Sequence, residues 1–133
     1  MNVIEPPTIS VANVRDLPPP AEWPAWFVWV GGRSSRRGLK VSPLANPYRV
    51  GQYPTRLDMQ PLTREDTLYW YRAWRAFSHD LGILFELGRL NSLLKKHGRL
   101  VLVCRCAPKP CHAEVIREWL ENHWQAAMKG KEG

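Results

Sequence analysis

Residues 99–120 read R-L-V-L-V-C-R-C-A-P-K-P-C-H-A-E-V-I-R-E-W-L. The order of patterns inside this stretch decides the fold. Leu100, Val101, Leu102 and Val103 form an unbroken apolar run bounded by Gly98 and a cysteine–proline loop. An apolar run without alternation suits a strand buried on both faces, the usual state in a parallel sheet. Beyond the loop, a helix starting near Pro110 or Cys111 carries Val115, Ile116, Trp119, Leu120, His123 and Trp124. Strand, loop and helix in that order make a βα unit.

The upstream chain agrees with this reading. A helix is expected over roughly residues 84–96, with Leu84, Leu87, Leu90 and Leu94 on one face. Lys95, Lys96 and His97 occupy its last turn and Gly98 ends it. An earlier helix opens at Thr63-Arg64-Glu65-Asp66, a capping-box variant with Asp in place of Glu or Gln. Its Trp70, Trp74, Phe77 and Leu81 recur at helical spacing and read as a core stripe. Before it, W-F-V-W-V-G-G (residues 26–32) is a strand entering a loop. Residues 1–24 hold six of the twelve prolines and read as an extended arm. The expected architecture is α/β: a single small domain over residues 25–125, a mostly parallel sheet flanked by helices, a proline-rich N-terminal arm, and a polar tail from residue 126.

With 133 residues and 44% apolar content the chain builds one packed domain. No apolar run reaches membrane-spanning length, and the N-terminus has no signal-peptide pattern. A cytoplasmic location is the expectation, where thiols stay reduced, and three cysteines make no disulfide framework. The formal charge of +7 is compatible with nucleic acid or a phosphorylated ligand as partner. Oligomeric state is not legible at this level.

All three cysteines and one of the four histidines fall within residues 104–112. Cys104, Cys106, Cys111 and His112 equal the four ligands of a tetrahedral zinc site, yet their C-x-C-x4-C-H spacing departs from paired C-x2-C knuckles. No metal is therefore assigned, although a zinc clasp stays an alternative. A thiolate is the other chemistry. Cys111 at a helix N-terminus, with Lys109 near, meets unpaired N–H groups and the positive end of the dipole, so it is the candidate nucleophile. His112 is the candidate general acid or base. The bland alternatives are a packed Cys104, a spacer Cys106, a His112 bonded to a loop carbonyl, and a Glu114 that complements the dipole. A Cys104–Cys106 redox pair ranks last.

A second loop, residues 31–51, holds Arg33, Arg36, Arg37 and Asn46. It lacks P-loop spacing, so a long solvated connection is its plain reading. In a parallel sheet, however, loops after strands open on one edge, where ligands bind. The leading expectation is therefore a composite site. Arg33, Arg36 and Arg37 would pair a small anionic, nucleotide-like ligand and Asn46 would orient it. Cys104, Cys106 and Glu114 would line the site, and Cys111 with His112 would carry chemistry. The alternatives are a zinc-clasped or basic nucleic-acid-binding module, and an interaction domain docking a partner through Trp23, Trp26 and Trp29. Cofactors are not legible.

Residues 103–116, V-C-R-C-A-P-K-P-C-H-A-E-V-I, resemble the C-W-C-A-P-x-x-C-H-G-D-V-L signature of a small family in phage and bacterial proteins, a domain of unknown function numbered four-three-two-six. V-W-V-G-G-R-S (28–34), S-P-L-A-N-P-Y-R-V-G (42–51) and residues 63–77 are similar to its other segments, so the resemblance covers about residues 26–121. It implies characteristic positions at Asn46, Pro47, Cys104, Cys106, Pro108, Cys111 and His112. Arg105 stands where Trp is common, Ala45 where Gly is common, and Ala113-Glu114 where Gly-Asp is common. A looser likeness joins it to another uncharacterised group whose strand ends in Cys and whose helix opens with Cys-His-Arg. That likeness is consistent with a shared α/β architecture and a ligand site at this edge, and the family name supplies no reaction.

Overall fold

The computed structural model describes residues 7–46, 63–77, 81–107, 109 and 111–132. Three strands form one parallel sheet: β1 (Thr8–Asn13), β2 (Phe27–Trp29) and β3 (Arg99–Cys104), in the order β1-β3-β2. Three helices follow the same chain order: α1 (Arg64–Phe77), α2 (Leu81–His97) and α3 (His112–Glu132). The fold is α/β, as the βα unit of residues 99–120 requires. Among the described residues no helix is long and apolar enough to cross a membrane.

The apolar run of β3 is the central strand, and its side chains divide between the faces with the period of two that a strand imposes. Leu100, Leu102 and Cys104 join Ile9, Val28 and Val30 in a core covered by α1, α2 and α3. Val101 and Val103 turn to the other face, where Val14, Leu17, Trp23, Phe27, Trp29 and Leu39 gather. The leader segment is thus part of the domain. Residues 8–13 of the expected arm supply β1, and the stretch after them carries Val14, Leu17 and Trp23 onto the sheet. The prolines suit this covering role, because a polyproline-like segment needs no ladder hydrogen bonds.

Helix boundaries follow the end signals. Thr63 Oγ1 accepts from Asp66 N–H (3.1 Å), and Thr63 N–H donates to Asp66 Oδ2 (2.9 Å), the reciprocal capping box with the shorter acid. Gly98 ends α2 at φ +72°, donating to Leu94 O at 2.8 Å.

Three expectations shift. α2 begins at Leu81, and its buried stripe is Ile83, Leu87, Leu90 and Leu94. Leu84 is exposed, and so is Leu81, which the expected α1 stripe included. The 83-87-90-94 spacing of four, three and four tracks a helix better than 84-87-90-94, which drifts around the cylinder. The side chains of Trp70, Trp74 and Phe77 lie outside the described residues. At the other end α3 continues to Glu132, through residues expected as a polar tail.

Candidate functional site at the carboxyl edge of the sheet

Parallel register aligns the strand ends. Asn13 lies opposite Cys104 and Trp29 opposite Val103, so the next residue, Val30, emerges beside the end of β3. The chain leaves β1 toward the leader face, where Val14 is buried, and leaves β3 toward the helical face, where Cys111 is buried. Adjacent parallel strands whose connections depart to opposite faces leave a crevice between them. Here the Asn13 carboxamide, 5% exposed, occupies that position. Its Nδ2 donates to Arg105 O and Ala107 O, both at 2.9 Å, while its Oδ1 accepts from Arg15 N–H at 3.0 Å. Asn13 therefore ties the end of β1 to the cysteine loop.

The loop folds two of the sulfurs into contact and packs the third cysteine against the same core. Cys104 and Cys111 are buried, with sulfurs 3.4 Å apart, and Cys106 is half-buried. Cys111 directly precedes α3, and Glu114 N–H donates to its carbonyl at 3.0 Å. Its thiol donates to Cys104, and that bond, the neighbouring Cys106 and burial hold its pKa far above the usual thiol range. The same interactions stabilise the ionised forms of its neighbours. Cys104 falls to about 7, helped by Cys111 against its own burial and by the backbone N–H groups of Ala107 and Cys106. Cys106 falls to about 5, through Cys111 first and then through a hydrogen bond and the charge of Arg64. A thiol carries one proton, so Cys111 serves one neighbour at a time.

The helix N-terminus and Lys109 pointed to Cys111 as the candidate thiolate; in the folded chain Cys111 is buried with its pKa raised, and the cysteine that is partly accessible with its pKa lowered to about 5 is Cys106. His112 is 8% exposed and its Nε2–H donates to Val30 O at 2.5 Å. Burial lowers its pKa, so it is the neutral imidazole near pH 7, with Tyr71 packed edge-on at 5.3 Å. Tyr71 in turn donates to Leu44 O at 2.8 Å. His112 thus pins the start of α3 to the end of β2, the carbonyl-bonded role weighed above.

The second loop reaches the same edge. Gly31 is required where the chain leaves β2, since a Cβ there would lie 2.5 Å from the Trp29 ring. Asn46 Nδ2 donates to Thr67 O at 3.3 Å, docking the loop on the first turn of α1, the turn that also supplies Arg64. Arg105, beside the cysteines, donates to Arg33 O at 3.0 Å and lies over the Trp29 ring. Arg33 and Arg36 are exposed and Arg37 half-buried; among the described residues none has a carboxylate partner. Glu114 is held by Arg117 at 3.2 Å on α3 itself. Ala45 has no positive φ, so its replacement of Gly costs no backbone strain. Pro47, Pro108 and Pro110 lie outside the described residues. Among the described residues no group of three or more His, Cys, Asp or Glu is arranged to hold a metal ion.

Two residues of this edge escaped the sequence. Asn13 ends T-I-S-V-A-N, whose apolar Ile9 and Val11 alternate as a half-buried strand should, a signal masked by the surrounding prolines. Arg64 was legible only as the first residue of a helix. Trp29 is buried, and Trp23 and Trp26 pack against Phe27 at 6.2 and 4.8 Å, so this tryptophan group is folded onto the sheet.

No curated protein and no solved structure matches the chain. Residues 23–122, three quarters of its length, do match a family profile, and that span holds every cysteine, His112, Arg64 and both strand-terminal loops. The chain belongs to the family described as Domain of unknown function (DUF4326).

Proposed function

We propose that the domain binds a small anionic, nucleotide-like ligand at the carboxyl edge of its sheet, with Cys106 as the reactive group beside it. One observation carries the reading: Asn46 docks the Arg-rich loop on the first turn of α1, whose Arg64 lowers the Cys106 pKa, and Cys106 packs against the core that holds Cys111, the residue that precedes α3. The starts of α1 and α3 and the Arg-rich loop therefore border one edge. Unpaired N–H groups and the helix dipole favour negative charge at such places, and phosphate is their common ligand. Arg33, Arg36 and Arg37 add guanidinium forks on the adjoining loop, and a guanidinium pairs phosphate oxygens two at a time. Asn46 sets the distance between that loop and α1. In this reading Cys111 supplies or receives the proton, while His112 positions α3.

The test is thermal denaturation of the full chain with AMP, ATP and inorganic phosphate, in parallel with Cys106 alkylation rates. A ligand at a hundred times its dissociation constant stabilises by about 2.7 kcal/mol. A nucleotide is expected to raise the melting temperature and protect Cys106, with both effects weakened in Arg36→Ala. No shift and no protection at millimolar nucleotide would sink the proposal. The charge of +7 also favours nucleic acid. Binding to an oligonucleotide that falls steeply with salt, without effect of mononucleotides, would move the assignment there.

A further inference from the structure

Cys104 and Cys111 are buried with sulfurs 3.4 Å apart, and Cys106, packed against the same core two residues after Cys104, is the cysteine that meets solvent. A disulfide needs sulfurs about 2.05 Å apart, so the buried pair closes by a shift of roughly 1.4 Å. Such a shift is small for a loop between the end of a strand and the start of a helix.

We propose that this cluster is a peroxide-reactive dithiol centre, in which Cys106 takes up oxidant from solvent and Cys111 closes a disulfide. In the first step the Cys106 thiolate attacks one oxygen of a hydroperoxide. The O–O bond breaks, the departing hydroxide or alkoxide takes a proton from solvent, and Cys106 becomes a sulfenic acid, oxidised by two electrons. The Cys111 sulfur then attacks the sulfenic sulfur. The new S–S bond forms, and hydroxide leaves with the Cys111 proton as water. Cys104, having given its proton to solvent, next attacks the Cys111 sulfur as a thiolate; the Cys111–Cys106 bond breaks, the Cys104–Cys111 bond forms and Cys106 leaves as the thiolate. Two electrons from an external dithiol, itself oxidised to its disulfide, restore the starting state.

The physical case rests on division of labour. A peroxide-sensing thiol has to be ionised, accessible and beside a resolving thiol. Arg64 and Cys111 favour the Cys106 thiolate, its half-burial admits a small oxidant, and Cys111 supplies both proton and second sulfur. The linkage through Cys111 differs from the Cys104–Cys106 pair that spacing suggested, because the fold brings residue 111 back over residue 104. This inference goes beyond ligand binding and stands without it, since a peroxide needs no anion site.

The decisive measurement uses the wild-type chain and needs no variant. Reduced protein is exposed to a small excess of hydrogen peroxide, quenched with N-ethylmaleimide in denaturant, and weighed intact. Before oxidation all three cysteines take a maleimide. Afterwards one adduct is expected, on a chain lighter by two hydrogens, with peptide mapping joining Cys111 to Cys104 or Cys106. Cys111→Ser is expected to stop at a Cys106 sulfenic acid that dimedone traps. Cys106→Ser is expected to oxidise at least about tenfold more slowly, because the remaining thiols are buried. Retention of three adducts, direct passage of Cys106 to sulfinic acid, a disulfide that omits Cys111, or an undiminished rate in Cys106→Ser would each overturn the proposal. A phosphate-binding failure leaves these readouts untouched, so the two proposals fail separately.

Discussion

Replacing Asn13 tests how the edge is held together. The side chain is 5% exposed and makes three hydrogen bonds, two as donor to Arg105 O and Ala107 O and one as acceptor from Arg15 N–H. Asn13→Ala removes all three. A satisfied hydrogen bond contributes about 1 kcal/mol net, and a stranded buried partner costs about 1–3 kcal/mol. Arg105 is exposed, so water relieves part of that cost. The expected loss is therefore about 2–4 kcal/mol rather than the upper sum. In a domain of this size that corresponds to a fall in melting temperature of roughly 6–16 °C. Asn13→Asp separates two explanations. Asp is as good a cap as Asn, so a residue acting only through Arg15 N–H would tolerate it within about 0.5 kcal/mol. A bridging carboxamide would not, because Asp keeps the acceptor, loses both donors and sets a carboxylate against two carbonyls. Urea denaturation measures both variants. Reaction with a disulfide reagent adds a local readout, in which the buried Cys104 and Cys111 thiols are expected to open at least about tenfold more often, a shift of about 1.4 kcal/mol. An Asp variant as stable as wild type, with slow buried thiols, would refute the bridge.

Cys106 alkylation is expected to rise with pH to half its maximum near pH 5, and Arg64→Gln is expected to move that midpoint upward. A midpoint unaffected by Arg64→Gln would remove the guanidinium from the account. The depressed Cys106 pKa also means that its contribution to folding is complete above its ordinary value of 9.0 and is lost as pH falls toward about 5. Cys111 has the opposite sign, its raised pKa eroding stability above 9.0. Denaturant curves for wild type and Cys106→Ser are expected to converge toward pH 5 and diverge toward pH 9. Tyr71→Phe strands the buried Leu44 carbonyl and is expected to cost about 1–3 kcal/mol in the same assay. Ile83→Ala is expected to cost about 2–5 kcal/mol, against less than about 0.5 kcal/mol for Leu84→Ala. Equal losses would mean that the register of α2 is misassigned.

Patterns carried by neighbouring residues were legible in the chain. The unbroken L-V-L-V run placed a strand buried on both faces, and β3 is the central strand. Thr63 and Asp66 marked the start of α1, and Gly98 marked the end of α2. The helical spacing around Leu87, Leu90 and Leu94 located a buried face, but it started that face at Leu84 where the structure starts it at Ile83. The leader was harder, because proline content reports backbone freedom and not where the segment lies. Its Ile9 and Val11 sit in a strand because β3 offers an unpaired edge, a long-range fact.

The candidate site divides along the same line. Composition and spacing placed the candidate site at residues 104–112, since thiols and a histidine confined to nine positions are visible in one dimension. Which sulfur ionises was not visible there. A thiol pKa is set by the charges, donors and solvent within a few ångströms. For Cys106 those come from Cys111 and from Arg64, a residue more than forty positions away in the chain. The sequence by itself determined the local states: which segments are helix or strand, where they stop, and which residue types the edge holds. Only the tertiary structure decided the assignments between them, because parallel pairing with β3 and the return of residue 111 over residue 104 are long-range events. Those events set the Cys104–Cys111 contact, lower the Cys106 pKa and make Asn13 the tie.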